Sequence, residues 1–228
     1  MRTIVIDTSS IISIAVNNLL WTLEPLKKQF DGKFLISESV HTELVDNPIK
    51  SKRYKLEAFM IEELINKKII EVYQDQDVKS EALRLLEILN RSYSIKKRHI
   101  KILDLAEVES LIMAKRLGSE AYIVDERTIR LVVENPEQLV SILRDKLHAK
   151  IDIDYQNLES VKDNFGDIKI LRSAELMLAA HKLGLFKAYT FNKNKRREFI
   201  DGLLWALKLH GCSISENEIN DMLAYKSL

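Results

Sequence analysis

Residues 2 to 6 (RTIVI) form a β-branched apolar run, and Asp7-Thr8-Ser9-Ser10 follow as polar caps before the apolar stretch IISIAV. This pattern predicts a strand, a turn and a helix in quick succession. A second helix near 21 to 30 leads to FLI at 34 to 36, read as a strand. Ser37 and Glu38 then open a helix that contains Glu43 and ends before Pro48. Helical spacing returns at 54 to 66 and 78 to 92, with IIEVY at 69 to 73 as a β-rich segment between them. A basic stretch at 96 to 101 (KKRHIK) reads as a loop. After it, LDLAEVESLIMAKRLG is a helix closed by Gly118, and AYIV at 121 to 124 is a strand with Asp125 directly behind it.

Strands alternating with helices imply an α/β fold of three layers, α/β/α, around a central, mostly parallel sheet. Such sheets bind ligands at the carboxyl ends of their strands. From about residue 134 the alternation gives way to helices near 136 to 147, 155 to 163, 173 to 183, 195 to 210 and 215 to 225, with IKI at 168 to 170 as one strand. The expected organisation is an α/β domain over 1 to 133 and a mainly helical C-terminal extension over 134 to 228 that packs on it. Gly211 ends one helix, and Ser215 with Glu218 forms a capping box for the last. Helix 195 to 210 is apolar over much of its circumference, which suits a core helix, with a homodimer interface as the alternative.

Composition narrows the class. Hydrophobic residues make up 46% and charged residues 30% of the 228, with six glycines and three prolines, as in an ordered, helix-rich globular chain. The single cysteine, Cys212, excludes an internal disulfide framework and a thiolate zinc cluster, and points to a reducing cytoplasm. Asp7 interrupts the apolar N-terminal stretch and no small-residue cleavage site follows, which argues against a signal peptide. No run is long and apolar enough to span a membrane. The 35 basic and 34 acidic residues nearly cancel, so any nucleic-acid contact must come from local clusters: Lys50 to Lys55, Lys96 to Lys101 and Lys193 to Arg197.

The candidate chemistry is carboxylate. Hard cations such as Mg²⁺ and Mn²⁺ prefer oxygen ligands, and phosphodiester cleavage gathers several acids around them. Asp7 and Asp125 each follow a strand, so neighbouring strands would bring both to one crevice. Ser9 and Ser10 are available to cap the first helix, which frees Asp7 for other work. Glu107 competes with a capping role beside Asp104, but at about 100° per residue it lines up with Leu111 and Ala114 on the apolar side. Glu109 is expected to point the opposite way. Glu126 faces either the crevice or solvent. There is no Walker loop, dinucleotide glycine fingerprint, Gly-x-Ser-x-Gly elbow or His-Glu-x-x-His helix, and the five histidines lack metal-ligand spacing.

These residues carry a family resemblance. VIDTSSII resembles the Asp-x-Ser-x-x-Ile opening of PIN-domain proteins, matched by Asp7 and Ser9. SESVHTEL is similar to the helix that bears the family's second acid, which assigns that role to Glu43. LDLAEVESLIMAKRLG and AYIVDERTIR resemble the third and fourth motifs and place Glu107 and Asp125 in the acidic positions. Ala106 stands where one family branch often has Gly, and Asp125-Glu126 where it has a paired Asp-Asp. The likeness covers residues 1 to 133, the last helices resemble a short helical tail of one branch, and 134 to 172 look inserted.

The resemblance implies a metal-dependent ribonuclease, an endonuclease rather than an exonuclease, acting on single-stranded RNA with Mg²⁺ or Mn²⁺. Asp7, Glu43, Glu107 and Asp125 would be catalytic and metal-binding, joined by Glu126 as a ligand. Ser9 would orient Asp7, and Arg127 and Arg130 would hold phosphates of the substrate. The alternatives are a non-catalytic PIN-like module that binds RNA or an assembly partner, and the toxin of a toxin/antitoxin pair.

Overall fold

The computed structural model describes residues 1–189 and 193–224. The end of the helix expected over 215 to 225, and the Lys193 and Asn194 side chains of the third basic cluster, lie outside the described residues. The strands in chain order are β1 (Thr3–Ile6), β2 (Lys33–Ser37), β3 (Glu71–Tyr73), β4 (Tyr93–Ile95), β5 (Arg98–His99), β6 (Ala121–Ile123), β7 (Asp152–Ile153) and β8 (Ile170–Leu171). Five of them form a parallel sheet in the order β3-β2-β1-β6-β8.

The helices begin with α1 (Thr8–Val16), α2 (Leu23–Phe30), α3 (Glu38–His41), α4 (Asn47–Ile49), α5 (Lys55–Asn66) and α6 (Gln76–Arg91). They continue as α7 (Leu105–Arg116), α8 (Arg127–Glu134), α9 (Pro136–Leu147), α10 (Tyr155–Phe165), α11 (Ser173–Lys182), α12 (Lys193–Leu209) and α13 (Glu216–Ala224).

Side chains alternate across each strand, and the core divides accordingly. Ile6, Phe34, Ile36 and Ile123 pack on one face with buried residues of α1, α2, α5, α11, α12 and α13. Val5, Leu35, Tyr122 and Val124 pack on the other with α6 to α10. The result is the three-layer α/β/α arrangement. Both faces of the sheet are covered, so its strands read as near-continuous apolar runs. The stretch after 134 packs on this sheet and also supplies its edge strand, because β8 pairs with β6 at Tyr122 and Ile123. Helix α12 buries Ile200, Leu203, Leu204 and Leu207, so one side of it belongs to the core.

Three features depart from the sequence pattern. The basic stretch at 96 to 101 is only partly loop: Lys96 and Lys97 turn between β4 and β5, which form an antiparallel hairpin to which β7 adds a third strand. Its turn places Lys96 and Lys97 at φ 47° and 65°. Tight hairpin turns require such angles, which Asn and Gly signal and Lys does not. Second, the helix after β2 does not stop before Pro48. It passes through a π-helical turn, Thr42–Asp46, and runs on to Ile49. Third, α8, for which the sequence pattern assigns no element, follows directly on Glu126.

Candidate active site

The site lies at the carboxyl ends of β1 and β6. Asp7 N–H donates to the Ile123 carbonyl at 2.8 Å, which ties the two strand ends together. Asp7 is buried, has extended backbone and caps α1: its Oδ2 accepts from Ser9 N at 3.0 Å and from Ser9 Oγ at 2.7 Å. The expectation that Ser9 or Ser10 relieves Asp7 of capping is therefore corrected. Ser9 does something else. Its Oγ accepts from Asp125 N at 3.0 Å and Glu126 N at 3.3 Å, so one hydroxyl links the carboxylate of Asp7 to the backbone after β6.

Glu43 and Glu107 approach from two other elements. Glu43 sits in the π-helical turn, a distortion found mainly at functional sites, and its Oε2 accepts from Thr8 Oγ1 at 2.7 Å. Glu107, on the first turn of α7, accepts from Asp104 N at 2.8 Å, the capping arrangement its spacing announced. Tyr122 Oη lies 3.4 Å from Asp7 Oδ1 and 3.3 Å from the Glu107 carbonyl.

These acids destabilise one another's charge. Burial raises the pKa of Asp7 despite hydrogen bonds from Ser9, Thr8 and Tyr122. Burial also raises Glu43, with the charges of Asp7 and Asp104 adding to it against the Thr8 bond. Glu107 is pushed up to about 8 by burial and then by Asp7, Glu126 and Asp104. Lys101, whose charge acts on Glu43 as the smallest of the named causes, is bonded to Asp104 at 2.5 Å.

Asp125 is placed differently from the other three. Its carboxylate is fully buried and accepts from Ser173 N at 2.7 Å and Ser173 Oγ at 2.6 Å, so it faces the N-terminus of α11. A negative group there is favoured by the unpaired N–H groups and the helix dipole. Its neighbour Cys212 is buried as expected, its thiol pushed up to about 12 by burial and then by Asp125. Glu126 is exposed, stands at the N-cap position of α8 and bonds Thr128, yet its charge reaches Glu107. Arg127 is exposed, and Arg130 is 3.6 Å from Glu134.

Glu109 corrects the helical-wheel expectation. It is 3% exposed and accepts from Ser39 N at 3.1 Å, at the start of α3. Helix α7 is buried from Ala106 through Ala114 except at Glu107, so it has no solvent face for Glu109 to occupy. Thr8, Tyr122 and Ser173 are site residues that the sequence pattern does not mark. Thr8 lies within the capping run, and nothing in the local pattern sets Tyr122 or Ser173 apart from core residues.

Donor chemistry and geometry answer differently on a divalent ion. All the donors are oxygens, as Mg²⁺ and Mn²⁺ prefer, and a buried acid raised by its acidic neighbours is what a cation relieves. Among the described residues, however, no three acidic, His or Cys side chains converge closely enough to hold an ion in the arrangement observed. Binding one requires the Asp7, Glu43 and Glu107 side chains to draw together.

A family model described as a PIN domain matches residues 3–140. Comparisons with curated proteins and with solved structures give no match. The matched span runs from β1 into α9, includes all four motif acids and covers more than half of the chain. The chain therefore belongs to the PIN-domain family.

Proposed function

We propose that this protein is a metal-dependent ribonuclease that hydrolyses RNA phosphodiester bonds, with Asp7, Glu43 and Glu107 as the residues that hold Mg²⁺ or Mn²⁺. PIN domains are nucleases as a class, which supports the coarse reading. The observation that carries the finer one is the crevice at the end of β1, where burial raises the pKa values of three acids and Asp7 adds to the rise in the other two. A divalent cation bound among them would offset that burial and mutual repulsion.

When bound, Mg²⁺ or Mn²⁺ supplies a Lewis acid for the phosphate and lowers the pKa of an attacking water. The chain's own residues prepare for that. Ser9 holds Asp7 by two bonds to one oxygen, and Thr8 holds Glu43. Glu107 gives up the proton it retains to about 8, so the site loads more readily as pH rises through that value. Asp125 is a positioning residue in this reading: it anchors α11 and, through its backbone N–H, Ser9. Glu126 stands at the rim as an outer acid. Single-stranded RNA suits Lys96, Lys97 and Arg98 of the hairpin as backbone contacts, since all three are exposed and make no ion pair with a described residue.

One observation favours a second reading, a non-catalytic PIN-like RNA-binding module: no metal-holding triplet forms among the described residues. Incubation of the purified protein with labelled RNA in Mn²⁺, Mg²⁺ or EDTA separates the two. The ribonuclease reading expects cleavage with metal only, and loss of it in Asp7→Asn. RNA binding with no cleavage under any metal would favour the module.

A further inference from the structure

Beside the carboxylate crevice, α8 and the 213 to 218 segment enclose a cavity of about 360 Å³ bordered by Arg127, Arg130, Gln138, Ser213 and Glu218. Arg127 and Arg130 are three residues apart on α8 and share a helix face. Arg130 Nε and Ser213 Oγ are both buried without a hydrogen-bond partner. Folded proteins leave few buried polar atoms unpaired, and an ordered ion or ligand is one of the reasons they do. Both atoms belong to residues that border one cavity.

The charges around it favour an anion. Among the described residues, Arg130 keeps only the loose 3.6 Å ion pair with Glu134, and Arg127 makes none. Glu218 is answered from other directions: Arg172 donates to its Oε1 at 2.7 Å, and Ser215 N and Oγ donate to its Oε2 at 2.8 and 2.7 Å. The cavity is therefore lined by two arginines, Gln138, Ser213, Ser215 and a Glu218 whose carboxylate is already bonded elsewhere. It also adjoins the crevice, because Ser213 N–H donates to the Asp125 carbonyl at 3.1 Å and Glu126 precedes the helix turn that carries Arg127.

We propose that this cavity seats a phosphate of the RNA backbone, forming the subsite for a nucleotide flanking the bond to be cut; the assignment of the strand as a substrate rests on the nuclease reading above. The Arg130 guanidinium and the Ser213 hydroxyl turn from the cavity wall to donate to the phosphate, and Arg127 closes on it from solvent. The guanidinium fork suits tetrahedral oxyanions, since its donors engage two oxygens at once. The strand is thereby led out of the crevice across the N-terminus of α8.

The test is anisotropy of a fluorescent single-stranded oligoribonucleotide, titrated with full-length protein in EDTA over a range of salt, with circular dichroism confirming that each variant folds. Arg127→Gln should weaken binding about five- to tenfold and flatten the slope of log affinity against log salt by about 0.7. Arg130→Lys should weaken binding about fivefold with the slope kept, because the charge stays and the fork is lost. Lys67→Gln, at the opposite edge of the sheet before β3, should change affinity by less than about twofold. Equal RNA affinity in all four proteins would overturn the proposal. Calorimetric titration with inorganic phosphate identifies the source of the ligand: phosphate binding lost in both arginine variants while RNA affinity stays constant assigns the cavity to free phosphate and also overturns it. If the wild type cuts no RNA in Mn²⁺ but the arginine variants still bind RNA less tightly, the nuclease reading fails and the subsite stands. If cutting is robust and RNA affinity ignores both arginines, the subsite alone fails.

Discussion

Replacing Glu107 by Gln should stabilise the protein in the absence of metal and remove its response to metal. The carboxyl's ordinary value is 4.5, and burial followed by repulsion from Asp7 raises it to about 8 in the folded chain. A carboxyl raised on folding favours the folded state fully only below its unfolded value, and that contribution is lost as pH climbs through the folded value. At about 1.4 kcal/mol per pH unit, holding Glu107 in place at pH 7 costs roughly 3 kcal/mol relative to a neutral group. Glu107 is partly solvent-accessible, so screening reduces the expected gain to about 2 kcal/mol. Gln keeps an oxygen that can accept from Asp104 N, so the cap is retained. For a chain of this length the gain corresponds to a rise in Tm of about 4 to 8 °C at pH 7 in EDTA. The gap should widen towards pH 9 and close towards pH 5. Differential scanning fluorimetry across that range, with and without Mn²⁺, reads both effects, and Mn²⁺ should raise the Tm of the wild type but not of the variant. A gap that ignores pH, or a wild type more stable than the variant at pH 9 in EDTA, would refute the reasoning.

Substitutions at three other places bear on the site and on the hairpin. Asp7→Asn should reduce metal-stimulated RNA cleavage at least about a hundredfold while far-ultraviolet circular dichroism stays unchanged, because Asn still caps α1 but removes the charge. Asp125→Ala strands the buried Ser173 N–H and hydroxyl and should lower stability by about 3 kcal/mol, measured by urea denaturation; Asp125→Asn should lose about half as much. Replacing Lys96-Lys97 with Asn-Gly relieves two non-glycine residues at positive φ and should add about 1 to 2 kcal/mol of stability in the same denaturation assay, while weakening RNA binding through loss of two charges.

The sheet was legible because its strands are short apolar runs bounded by capping residues, and buried parallel strands must read that way. RTIVI before Asp7 and AYIV before Asp125 located both strand ends, and the pairing of β1 with β6 made them neighbours. The alternation of strands with helices likewise anticipated two covered faces. The capping box at Asp104 and Glu107 was readable from spacing alone, since it is a local bond across one helical turn.

What the chain's pattern determined is where each acid sits along its own element, because strand ends, caps and turns depend on bonds between residues close in sequence. Where each carboxylate points was decided only in three dimensions. Asp125 is claimed by Ser173, 48 residues later, once α11 docks. Glu109 is buried because α3 and the sheet surround α7, and Glu43 reaches Thr8 across 35 residues from a π-helical turn that no local signal marks. The physical reason is common to all three: a polar group shut away from water takes the best partner that packing delivers, and that partner comes from elsewhere in the chain.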